Sequence, residues 1–149
     1  MITSAVLNAI EKSVLCWLAT ADEEGFPNVS PKEIFAPFGD RHLLIANIAS
    51  PQSAKNIKVN SKGCVSFLDI LVQKGFQLKG NAKIISKKEE QFAILSAPLL
   101  KITGGKFPFR ELFYVEIEKV KTIIAPRYWM YPETTEAEQI ASARKIYGI

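Results

Sequence analysis

The chain is poor in the residues from which most metal and nucleophile sites are assembled. Its 149 residues include one histidine, His42, and two cysteines, Cys16 and Cys64. Without clustered thiols and imidazoles there is no basis for a zinc or iron centre of nitrogen and sulfur ligands, and no metal is expected. Ser-His-Asp or Cys-His catalysis would have to run through His42, which opens an apolar strand after a turn. The cysteines are too few and too far apart for a disulfide framework, and each lies in an apolar run where Cys packs as a small hydrophobe. No apolar stretch approaches the roughly 18 residues of a spanning helix. The opening "MITSAVLNAIEK" lacks the basic start and small-residue cleavage site of a secretory signal, so a cytoplasmic protein with no membrane contact is expected. Charge imbalance is also small: 19 Lys and Arg against 15 Asp and Glu give a net +4. No basic stripe is interleaved with aromatics, so nucleic acid is not expected as a partner. The mild excess suits a protein that neutralises the phosphate of a small anionic ligand.

What is present is the balance of an ordinary folded domain, 48% hydrophobic and 23% charged. One domain over 1–149 is expected, long enough to bury a core without disulfides. A helix over about 3–12 precedes "SVLCWLATADEEGFPNVSPKEIF", two strand-like runs around a "DEEG" turn in which Gly25 supplies a positive φ. A third run covers 42–48, and a helix follows near Pro51 with Ser50 as its natural N-cap. "GCVSFLDI" and "FQLKGNAKII" read as an antiparallel pair, with Gly80 marking a bulge or bend. Ser86 and Glu89 form a capping box that opens a third helix. "RELFYVEIEKVKTIIA" reads as a long sixth strand. Six strands with isolated helices predict a mainly β fold with short helices, a six-stranded antiparallel Greek-key split β-barrel. A helical tail over about 126–149 follows, opened by a second capping box of Thr135 and Glu138 and stopped by Gly148.

Two segments carry candidate binding chemistry. In "LLIANIASPQSAKNIKVN" a strand runs into a helix start, where free backbone N–H groups meet Ser50, Ser53 and Lys55. Ser-Pro before a helix is also ordinary capping chemistry, and an Asn-Lys helix face is otherwise simply solvated. In "NVSPKEIF", alternation puts Ser30, Lys32 and Ile34 on one strand face, with Val29 and Glu33 on the other. A lysine in mid-strand either reaches water at a barrel mouth or requires an anionic partner, because an unpaired buried charge costs several kcal/mol.

The hairpin "LATADEEGFPNVSPKEIF", the strand "LLIANIAS", the helix "SAKNIKVN" and the pair "GCVSFLDI" and "GFQLKGNAKII" together resemble the pyridoxamine 5'-phosphate oxidase-like, FMN-binding split-barrel superfamily. The resemblance covers about residues 13–86 and implies a homodimer with FMN at the subunit interface. It implies that Ser30, Pro31, Lys32 and Glu33 face the flavin ring and ribityl chain, and that Ala46, Asn47 and Ile48 lie along the flavin. Ser50, Ser53, Lys55 and Asn56 would surround the phosphate. Gln77, inward by alternation, would reach the flavin edge from one subunit or the other. "SPQSAK" replaces the Ser-Arg-Lys common in the oxidases, which shifts phosphate binding toward Lys55. Without the Arg-rich C-terminal segment of true oxidases, pyridoxamine phosphate is not the expected substrate. Arg127 and Trp129 in "PRYWMYP" would cover the flavin from the partner subunit, or the stretch would only anchor the tail. The implied function is a flavin-dependent oxidoreductase acting on a small molecule. The alternatives are a non-catalytic FMN carrier, store or sensor, and a heme- or deazaflavin-binding relative.

Overall fold

The computed structural model of the chain describes residues 1–149. Along the chain come α1 (Ser4–Lys12), β1 (Cys16–Ala21), β2 (Pro27–Lys32), β3 (Phe35–Phe38), β4 (His42–Asn47), α2 (Pro51–Val59), β5 (Lys62–Asp69) and β6 (Lys74–Ser86). Then follow α3 (Phe92–Thr103), β7 (Glu111–Ile124), α4 (Arg127–Met130) and α5 (Glu136–Tyr147). The strands form one sheet in the order β2-β1-β5-β6-β7-β4-β3, with every pair antiparallel. No helix is long and apolar enough to cross a membrane.

The fold is mainly β with short helices, but the strands number seven, not six, and the sheet is not closed. "NVSPKEIF" breaks at Glu33–Ile34: β2 pairs with β1 up to Lys32, and β3 pairs with β4 from Phe35. These two strands are the opposite edges of the sheet. A link this short spans at most about 10 Å, so the sheet must curl until its edges meet, with no ladder across the seam. The alternation of a single run cannot reveal that the chain changes edge midway. β5, β6 and β7 lie side by side, with α3 joining β6 to β7, and β4, joined to β5 through α2, lies beside β7.

The curl separates two apolar regions. Leu18, Ile45, Val65, Leu78 and Phe113 fill the interior with Val6 and Ile10 of α1 and Ile57 of α2. Leu44, Ile85 and Leu112 face outward and are covered by Phe92, Leu95 and Leu99 of α3. Cover on both sides explains why "LLIA" in β4 is continuously apolar rather than alternating. Gly80 sits at a register shift between β6 and β7, and a Cβ there would collide with the backbone carbonyl of Glu116. Gly25 takes φ 87° in the first hairpin, as its turn requires.

α1 buries Val6, Ala9 and Ile10 and exposes Leu7. Two local expectations are corrected. Ser86 ends β6; its N–H donates to the Glu89 carboxylate at 2.6 Å, yet the helix starts only at Phe92, because residues 87–91 first turn the chain at the end of the strand. Ser50 is the N-cap residue of α2, but its side chain makes no capping bond. The capping box of Thr135 and Glu138 does open α5, and Gly148 ends it in the left-handed region.

Candidate functional site

The inward face of β2 is polar. Asn28, Ser30 and Lys32 stand opposite Thr20, Leu18 and Cys16 of β1. A strand facing a core in this way needs polar cover, and α2 supplies it from Ser50, Ser53 and Asn56, three residues apart on one helical face. The Asn28 amide donates to the Ser53 hydroxyl at 3.3 Å. The Asn56 amide donates to the Thr20 hydroxyl at 3.0 Å and its carbonyl accepts from Gln52 at 2.7 Å. Ser53 and Asn56 are both 1% exposed.

At the open end of this seam the Lys32 ammonium donates to the Ser30 hydroxyl at 2.9 Å and to the Ser50 hydroxyl, and those hydroxyls lie 3.2 Å apart. The Ser50 hydroxyl makes these contacts and no capping bond to α2. Lys32 is 7% exposed and its ammonium lies 5.7 Å from the centre of the Phe113 ring. Neither ion pair of the chain, Lys62–Glu118 or Lys74–Glu136, involves it. Burial pushes the Lys32 ammonium below the ordinary lysine range, with an opposing pull from Cys16. Burial also pushes the Cys16 thiol up to about 12, so at neutral pH it is an uncharged neighbour. The site thus holds a buried cation with two hydroxyl partners and no protein anion.

Two clefts flank the Ile48–Ser50 turn, which forms a wall of both. One, of about 440 Å³, lies along the β2–β3 break and β4, with Ser30, Pro31, Lys32, Glu33, Ile34 and Ala46 on its walls and Phe107 across from them. The other, of about 900 Å³, lies where three strand ends come level: Asn47 is in register with Glu111, and Glu111 with Ser86. Lys55 and Lys58 of α2 line one side of it; Lys87, Phe109 and Arg110 line the other. Asn47 braces the wall between the clefts, donating to the Glu111 carboxylate at 3.1 Å and accepting from the Ser50 N–H at 3.2 Å.

The fold therefore gathers Ser30, Pro31, Lys32, Glu33, Ala46, Asn47, Ile48, Ser50 and Lys55 around the paired clefts. Ser53 and Asn56 stand behind them in the seam and line neither cleft. Gln77 faces outward rather than inward, since Phe76 and Leu78 on either side of it turn to the core. It belongs to an outer row running Pro31, Trp17, Ser66, Gln77 across β2, β1, β5 and β6. That sets it about 14 Å from Pro31 at ordinary strand spacing. Arg127 and Trp129 are carried by α4, which the Tyr128 hydroxyl pins to the Val72 carbonyl at 2.7 Å. Arg127 donates to Gln139 at 3.4 Å, and Trp129 is 66% exposed. Lys87, Phe107 and Arg110 were not legible as site residues, because only the β6–β7 register and the loop before β7 bring them to β4 and α2.

A family profile described as pyridoxamine 5'-phosphate oxidase matches residues 2–139. Among curated proteins there is no match. Solved structures of similar shape include HupZ of Group A Streptococcus, with TM-score 0.69 and 23% identity over 80% of this chain and 92% of that one. An FMN-binding protein of Syntrophomonas wolfei has TM-score 0.65 and 18% identity, covering 82% and 86% of the two chains. HutZ, a heme storage protein of Vibrio cholerae, has TM-score 0.61 and 20% identity, covering 77% and 88%. At these identities the likeness is one of fold.

Proposed function

The chain belongs to the pyridoxamine 5'-phosphate oxidase family, and from that premise we propose that it binds FMN across the paired clefts and acts as a flavin-dependent oxidoreductase on a small molecule. The observation that carries this reading is Lys32, buried with two hydroxyls and no counter-ion at the edge of an open cleft. A buried charge without a partner is costly. An electron-rich ligand edge beside it removes that cost and is oriented by it.

On this reading Ser30, Lys32 and Ala46 line the space for the ring system, and Ser50 with Lys55 at the start of α2 receives the phosphate. The helix start adds free N–H groups and a partial positive charge to the same place. FMN, when bound, supplies the redox chemistry, and the protein supplies position, dielectric and hydrogen bonds. The reading includes a homodimer with FMN at the subunit interface. The outer row supports this, since Trp17 and Val29 are 45% and 57% exposed beside Pro31, at the rim of the smaller cleft. The reading assigns Gln77, Arg127 and Trp129 to covering the ligand from the partner subunit. A heme held by this chain's imidazole gains no support from the site. The one imidazole, His42, stacks on the Tyr114 ring at 4.5 Å, about 16 Å along β4 from Asn47.

The test is a fluorescence titration of purified protein with FMN, followed by steady-state turnover of NADH and NADPH with a panel of acceptors. Saturable FMN binding that Lys32→Ala and Lys55→Ala each weaken, with turnover above that of free FMN, is the expected result. Tight binding without turnover converts the reading to a carrier or sensor. Failure to bind FMN ends it.

A further inference from the structure

The larger cleft carries more positive charge than one flavin phosphate occupies. Lys55 and Lys58 project from α2, and Lys87 and Arg110 stand on the facing wall. A main-chain bond from the Lys87 N–H to the Arg110 carbonyl, 2.8 Å, continues the β6–β7 ladder past Ser86 and Glu111 and holds those two cations on a common rim. None of the four is in an ion pair, and the single carboxylate on the cleft wall, Glu111, is bonded to Asn47. Four like charges around about 900 Å³ repel one another, and they come from segments distant in the chain that the fold brings face to face. Phe109, 9% exposed and edge-on to Phe92 at 6.0 Å, fixes the loop that presents Arg110. The site is therefore held by packed backbone rather than by the lysines themselves.

We propose that the Lys87–Arg110 side of this cleft binds a second phosphate or pyrophosphate group, in addition to the FMN phosphate at Ser50 and Lys55. This rests on the flavin reading for the first phosphate and extends it to the class of the second ligand. The group belongs either to a separate phosphorylated co-substrate bound beside FMN or to a flavin extended by a pyrophosphate-linked nucleotide. The chemistry at the rim is the same for both. Arginine offers paired N–H donors to phosphate oxygens and lysine a point charge.

The experiment compares wild type, Lys32→Ala and the double variant Lys87→Ala/Arg110→Ala. The probes are FMN, FAD, and ADP or inorganic pyrophosphate added to FMN-saturated protein. Lys87 and Arg110 side chains are exposed and the bond joining them is main-chain, so the double variant is expected to keep the wild-type melting temperature, which is measured first. Binding of ADP or pyrophosphate to FMN-loaded protein, weakened tenfold or more in the double variant while FMN affinity moves less than threefold, supports a separate co-substrate. FAD binding tenfold tighter than FMN, with that advantage lost in the double variant, supports the extended flavin. A double variant that loses FMN as severely as Lys32→Ala overturns the proposal while the flavin reading stands, because the rim cations then belong to the first phosphate. FMN-loaded protein that binds neither ADP nor pyrophosphate, and prefers FMN to FAD, overturns it as well. If no flavin binds at all, the flavin reading fails, and pyrophosphate binding to the unloaded protein decides: affinity lost in the double variant upholds the rim site, and absence of binding removes it.

Discussion

Lys32 is where stability and ligand binding are set against each other. Its ammonium is desolvated, and Cys16, in register with it on β1, carries a neutral thiol. The folded-state value lies below the unfolded one, so between the two the unfolded chain binds more protons. The penalty from this group is therefore full at pH values below the folded value and lifts as pH rises toward the ordinary lysine range. Lys32→Met is expected to raise the stability of the unliganded protein by roughly 1–2 kcal/mol, or about 2–8 °C in Tm, since Ser30 and Ser50 can still bond each other. The same change is expected to weaken FMN binding by about 10- to 100-fold, the worth of a hydrogen bond to a charged group. Thermal melts with and without FMN check both, and a variant less stable than wild type without ligand would mean that Lys32 is structural. Affinity of the wild type for FMN is expected to fall as pH rises through the lowered Lys32 value, and titrations at pH values below the ordinary lysine range should show a fall in wild type that is absent in Lys32→Met. The sequence carried this residue plainly, as a lysine in mid-strand with a partner to find. It did not carry the partner, because Ser50 reads as a helix cap until the curl of the sheet brings β2 beneath α2.

Among the elements, α2 and the β6–β7 pair do the positioning. α2 is docked by amide and hydroxyl bonds, so its placement is directional in a way that apolar packing is not. Asn56→Ala leaves the Thr20 hydroxyl, 4% exposed, without its partner and is expected to cost about 1–3 kcal/mol in chemical denaturation. FMN affinity is expected to fall as well, because Ser50 and Lys55 move with the helix; unchanged affinity with lowered stability would separate the seam from the site. Gly80→Val must push back the Glu116 carbonyl and displace the bulge, with an expected loss of at least about 2 kcal/mol. Gly80 was readable as a bulge from its place inside a strand. The division of "NVSPKEIF" into β2 and β3 was not, because local alternation survives the bend and only pairing partners distinguish the two halves.

For the whole molecule, the proposed homodimer assigns the outer face of β1 and β2 to the second copy. Trp17 and Val29 are exposed there, beside Pro31 at the rim of the smaller cleft. Light scattering on the eluting protein is expected to give twice the 16.6 kDa chain mass, with Trp17→Glu shifting the balance toward monomer and lowering FMN affinity in parallel. A monomer that binds FMN as tightly as the parent would separate the ligand from the interface and remove the shared cleft.

The sequence alone determined that this is a mainly β chain with a helix after an apolar strand, a lysine placed to need a partner, a Gly80 bulge and a capped C-terminal helix. Each of these is written within a few neighbouring residues, as periodicity, turn chemistry or capping. The tertiary structure decided that the second strand is two strands, that Ser50 serves Lys32, that Gln77 faces outward, and that Lys87 and Arg110 meet Lys55 and Lys58 across one cleft. Those facts depend on which edges meet when the sheet curls, and on register between strands far apart in the chain, and neither quantity has a local signature.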